Sequence, residues 1–411
     1  MPDLNIKPGE TATLDRVEGE LRVGSRARIR AANGRSVVVS RGVYFEGSVE
    51  VDCDFSCESM KLEGRGYGSG GNIIVTGNLT VQGAADIDAS LEVGGDLKAE
   101  RTEVGGHLKA KNVSSRLVRV GGHMVAKGTL EAEGVDVGGH LTVTEGVKLG
   151  SLRVGGHVKI GGGVISGKIQ VRGHLETTSK LEFGELELFG HVRLPAGSKG
   201  NVLIAFGRAE FLGDAYCRAM QARGTVKVAG DYSGESAEVS GKLEVLGSLN
   251  ATKKLEIGGV AEVGQQVKCE SISVFGRLEA DSALVTEAEI DGEVKISRYL
   301  KGRSILVGRG STIAGSIVGE QVEIGKTQNS LAHWAGELAR IGRMTEVQDV
   351  YGIVVRIGPY SRARRIFAES VEMDNGSIAD QVVYTKDLKL PSSCYLGKPP
   401  IKMTTLPEFP G

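Results

Sequence analysis

Six histidines, each closing a glycine corner, recur through the middle of this chain at a nearly fixed interval, and that period constrains the fold more than any other feature. They are His107, His123, His140, His157, His174 and His191, in "VGGHL", "VGGHM", "VGGHL", "VGGHV", "VRGHL" and "LFGHV", separated by one step of 16 residues and four of 17. A steady period of this size is the mark of one supersecondary unit stacked many times, a solenoid.

Within one period the apolar positions are Leu152, Val154, Val158 and Ile160, with Arg153 and Lys159 between them. This is alternation of period two broken by a corner, so it reads as short strands with no helical stripe. Glycine suits the corner because it accepts positive φ and lets two backbones approach closely. One coil buries about five or six aliphatic side chains at roughly 1.5 to 3 kcal/mol each, while ordering it costs roughly 1 to 2 kcal/mol per residue, so no coil stands alone. Stacked coils share burial and hydrogen bonds with both neighbours. Hexapeptide-built left-handed helices need 18 residues per coil. About 17 per coil with doublet-glycine corners predicts an all-β, right-handed parallel β-helix (β-solenoid) with one short helical insertion. About 20 coils at the ~4.8 Å strand spacing would make a rod on the order of 100 Å long.

Aligning the apolar-x-apolar triplet before each corner extends the repeat to residues 43–45, 60–62, 73–75, 91–93 and 102–104, then onward to 322–324. After 33 residues it resumes at 355–357, 371–373 and 388–390. The short step from Leu91 to Thr102 points to a lost face or a shifted register there. The 33-residue gap carries the helical signal: Asn329 or Ser330 can cap it, and Leu331, Trp334, Leu338 and Ile341 share one face. The expected organisation is an N-terminal tail (1–12), a β-solenoid (13–325), a helical insertion (326–348), C-terminal solenoid coils (349–396) and a Pro-rich, extended or disordered tail (397–411).

Fifty basic and 51 acidic residues give a net charge of -1, so no global field draws nucleic acid or membrane to the chain. The N-terminus has no leader-like pattern and no run of 18 apolar residues occurs, which predicts a cytoplasmic protein, with membrane association left open. Five scattered cysteines argue against a disulfide framework, and the CxxxC spacing of Cys53 and Cys57 has no companion pair at zinc spacing. Gly66, Gly68 and Gly71 satisfy GxGxxG but precede a strand instead of opening a helix, and "GEQVEIGKT" at 319–327 carries one residue too many for a phosphate loop. No cofactor, metal or catalytic residue is expected.

The histidine ladder reads first as a structural stack. With Val154 and Val158 pointing inward, His157 points outward or lies in the corner, and its equivalents stack as parallel rings offset along the axis. Metal ligands must instead converge on one point. An assembly surface is the second reading and metal binding the third. Charged residues fill 14 of the 21 central triplet positions in mixed order, the sign of a solvated wall that resists aggregation. Arg356, Arg362, Arg364 and Arg365 form a basic cluster, read as a solvated face or as a contact for an anionic lipid surface or partner.

"VGGDLKA", the "VGGHL" series and "LEVLGSLNA" resemble the bactofilins, polymer-forming cytoskeletal proteins, and especially their longer archaeal relatives. The resemblance spans roughly residues 13 to 396. It implies a right-handed β-helix that polymerises end to end without nucleotide, contacts membranes in many cases and scaffolds cell-shape factors. The chain departs from the family in its greater length, in lacking an apolar N-terminal membrane tail, and in the 326–348 insert. Gly-rich β-helix proteins of flagellar-assembly type are a second resemblance. The leading expectation is thus a non-enzymatic scaffold that self-associates as a homopolymer or homodimer, with protein partners, peripheral membrane contact and no nucleic acid. Its mating ends would be the coils bearing Val43, Phe45, Met60 and Leu62, and Val371, Met373, Leu388 and Leu390. The alternatives are an adaptor binding a partner through the helix around Trp334, and a polysaccharide-active β-helix enzyme.

Overall fold

Parallel strand pairing one coil apart is what the period demands, and the computed structural model, which describes residues 3–62, 71–325 and 344–409, is built that way. All regular structure among the described residues is β. The chain divides into two compact units, Met1–Asn201 and Val202–Gly411, and each is a parallel β-solenoid.

In the first unit each coil turns three corners and so has three faces. On the first face Val137 pairs with Val154 and Val154 with Val171. On the second, Leu141 pairs with Val158 and Val158 with Leu175. On the third, Val147 pairs with Gly163 and Gly163 with Leu181. Alternation sends Leu152, Val154, Val158, Ile160 and Ile165 into the axis, where all are buried. The glycine corners are set by close approach. A Cβ on Gly138 would lie 2.4 Å from the Gly121 carbonyl oxygen, and one on Gly155 2.5 Å from that of Gly138.

The solenoid begins earlier than its sequence period suggests. Leu4–Ile6 pairs with Leu21–Val23, which pairs with Gly42–Phe45, so residues 4 to 12 are coil and not tail. The extra length between Leu21 and Val43 sits in a side-chain-stabilised turn. There the Asn33 Oδ1 accepts the amides of Arg35 (2.8 Å) and Ser36 (3.1 Å), and Gly34 takes φ +69°. The irregular step near residue 91 is a misread face. Leu91 pairs with Leu108 on the second face, whereas Ala85 stands between Met60 and Thr102 on the first. Ala85-Asp86-Ile87 is a weakly apolar triplet, with little hydropathy contrast to mark it.

In the second unit the last coils are long strands bent around the corners: Glu293–Val307, Thr312–Ile324, Thr345–Ile357, Ser361–Met373 and Ile378–Lys389. Ile324 pairs directly with Ile357, so the 33-residue gap is a single step of the ladder. Residues 345–348, expected in the insertion, are strand. In the tail expected to be extended or disordered, Ile401–Lys402 is a strand against Ile378–Lys389, and Tyr395–Leu396, just before that tail, lies against the same strand.

Candidate functional site

The histidine ladder is a row at the corner between the first and second faces. His157 pairs in register with His174 and His174 with His191, because each stands next to an inward residue of the second face. Five of the six rings are exposed and His191 is half-buried. Successive ring centroids lie 4.9, 4.6, 4.8, 4.8 and 5.7 Å apart. The expected face-to-face stack is corrected by the ring tilts. Only His140 and His157 are stacked, at 15°, while the other pairs stand at 35° to 68°. Two hydrogen bonds link neighbours in the row. The His140 amide donates to the His123 Nδ1 (3.1 Å), and the His157 Nδ1 lies 3.1 Å from the His140 Nε2. Lost hydration beside its neighbours, and then the charges of His123 and His157, hold His140 below the ordinary imidazole pKa. Among the described residues no three His, Cys, Asp or Glu side chains converge as a metal site.

The four arginines do not make a patch. Arg356 lies on the first face between Glu323 (2.6 Å) and Glu372 (3.4 Å). Arg362 donates to Asp380 on the second face (3.2 Å). Arg364 and Arg365 both clasp Asp349, which is 6% exposed and held below the usual carboxylate range first by Arg365, against the opposing effect of burial. Two successive bent strands, Thr345–Ile357 with Arg356 and Ser361–Met373 with the other three, scatter the arginines over faces and match each to a carboxylate one coil away. The helix residues Leu331, Trp334, Leu338 and Ile341 lie outside the described residues. Cys53, Cys57, Cys217 and Cys269 are buried thiols, and burial pushes Cys57, Cys217 and Cys269 up to about 12. In the phosphate-loop look-alike, Gln321–Ile324 is ladder strand.

The assembly ends move. Val43 and Phe45 pair with both Leu21–Val23 and Ser59–Leu62, so they are interior, as are Met60 and Leu62. Val371 is interior too, between Val355 and Leu388, while Met373 pairs with Ile357 on one side. The N-terminal end is the coil of Leu4–Ile6, Thr11–Leu14 and Arg16–Val17, each strand with a neighbour on one side alone among the described residues. The Leu4 amide donates to Glu20, while the carbonyls of Ile6, Glu10 and Leu14 accept from Gly24, Arg28 and Ala32. By the alternation of a parallel ladder, Asn5, Thr11 and Thr13 direct their main-chain groups off the end. Leu388 and Leu390 do lie at the C-terminal end, half-buried and 36% exposed respectively.

Two features carried no periodic signal. A groove of about 960 Å³ runs over six coils at the corner between the third and first faces, floored by Ala251, Cys269, Val285, Gly302, Gly319 and Gly352. Near its C-terminal end Phe409, from the tail, sits edge-on between Tyr299 (5.6 Å) and Tyr351 (5.1 Å), and Tyr351 stacks on Phe367 (4.8 Å, 13°). Among the described residues no helix is long and apolar enough to cross a membrane. The chain matches no family model, no curated protein and no solved structure.

Proposed function

We propose that this chain is a non-enzymatic scaffold of bactofilin type, a right-handed β-solenoid that adds end to end without nucleotide and so shapes the cell or positions partners. The observation that carries the reading is the N-terminal coil, which leaves one strand edge open on each of three faces. An open edge is a template for another chain. A parallel solenoid continues by simple translation, so the edge suits the C-terminal end of a second copy. The polysaccharide-enzyme reading draws less support. The groove's carboxylates, Glu270 and Glu320, lie three coils apart, roughly 14 Å by strand spacing, beyond the ~5 to 9.5 Å that a glycosidase pair spans. The adaptor reading gains a surface in that groove, though not at the helix first expected to supply it.

The test is light scattering and negative-stain microscopy of the purified chain across a wide concentration range, without nucleotide and with EDTA. Concentration-dependent elongation is expected. Particles of single-copy mass at the highest concentration, for the full chain and for a folded chain ending at Leu390 alike, would refute end-to-end assembly.

A further inference from the structure

The two ends of the chain are finished differently. At the N-terminal end three edges meet no further strand among the described residues. At the C-terminal end the chain folds back and fills two of the three itself. Tyr395–Leu396 lies on the second-face edge, with the Gly397 amide donating to Ala379 (2.9 Å). Ile401–Lys402 lies on the third-face edge, with the Met403 amide donating to Tyr384 (2.8 Å). The first-face edge, around Leu388, pairs with Val371 on one side and meets no strand on the other among the described residues. Each added strand is two residues long, and Pro399 and Pro400 precede the second. So short and proline-flanked an edge offers little template to a further chain. Phe409 then anchors the segment on coils before Ile378–Lys389, between Tyr351, two coils back, and Tyr299, four coils back.

We propose that residues 391–409 are a surrogate coil, filling in cis the edge that the N-terminal coil of a second copy fills in trans, and so acting as a built-in stop on head-to-tail assembly. This rests on the end-to-end reading above. The partner is a second copy because the strap occupies the C-terminal edge in the same parallel sense in which the N-terminal coil presents its own. A tethered strap competes at an effective concentration on the order of millimolar, so it prevails over free copies at micromolar concentration until it is removed or displaced.

The experiment compares the assembly threshold of the full chain, by light scattering and pelleting, with that of a chain ending at Leu390. Deletion is expected to lower the threshold at least about tenfold. Phe409→Ala, which leaves both edge strands in place, should lower it less and speed exchange of the Met403 amide, which donates to Tyr384. This second variant keeps the test decisive should the deletion misfold. Thr13→Pro in the shortened chain, at an exposed position whose amide faces off the N-terminal end, should restore the high threshold. Equal thresholds for full and shortened chains, with both assembling, would overturn the stop while leaving the scaffold reading intact. No assembly by the full chain, the folded shortened chain or Phe409→Ala at any concentration would overturn the scaffold reading itself.

Discussion

At the scale of single residues, the histidine row shows how spacing can give a position without giving its chemistry. The 17-residue step and the inward valines place His140 on the surface of a corner, but no sequence pattern encodes its ring tilt or its hydrogen bonds to His123 and His157. The same holds for the side-chain ladder at the next corner. The Asp54 Oδ1 caps the Asn78 amide and the Asn78 Oδ1 caps that of Asp96, while in the second unit Asp231 caps Ser248. The Gly-Asn, Gly-Asp and Gly-Ser dipeptides there were the available signal. For His140 a sign follows. A folded-state pKa held below the ordinary value means that the unfolded chain takes up the proton first. The stabilising contribution is therefore fully present above about pH 6.5 and is lost as pH falls through the folded-state value. Thermal unfolding from pH 7.5 to 5 should show a drop in midpoint that shrinks when all six histidines are replaced by asparagine. An unchanged slope would remove the row from the acid response.

Strands and corners were the most legible scale where the period held, and the failures have identifiable causes. Residues 4–6 and 21–23 were missed because the turn at Asn33 and Gly34 lengthens one coil, so the interval rises to 22 between Leu21 and Val43. Ala85 was missed because an alanine at a core position gives little hydropathy contrast. What no pattern could separate is the two kinds of corner glycine, those required by contact and those merely tolerated. Gly138 is of the first kind, with the Gly121 oxygen 2.4 Å from its would-be Cβ, whereas a Cβ on Gly258 would meet nothing nearer than 3.8 Å. Gly138→Ala should destabilise the protein by about 1 to 3 kcal/mol, because the coils must part to admit the methyl. Gly258→Ala should stay within about 0.5 kcal/mol. Urea midpoints of the two variants check this, and equal losses would mean that corner glycines act through backbone freedom alone.

For the molecule as a whole, composition sets the charge and the fold decides where it acts. A net charge of -1 leaves no long-range field, so attraction to an anionic surface would need a local concentration of unpaired cations. The arginine run from Arg356 to Arg365 suggested one, because a linear reading sees four guanidiniums within ten residues. Bent around the coil, those residues leave for different faces and meet Glu323, Glu372, Asp380 and Asp349. Paired guanidiniums of this kind contribute little net attraction, and at 0.15 M salt the field of each pair fades within a Debye length of about 8 Å. Flotation with vesicles rich in phosphatidylserine should therefore recover no more protein than flotation with neutral vesicles, and Arg356→Gln with Arg362→Gln should change nothing. Recovery that is specific to anionic vesicles and lost in that double variant would show that these arginines exchange their carboxylate partners for lipid phosphate. Membrane contact would then belong to the folded wall of the solenoid.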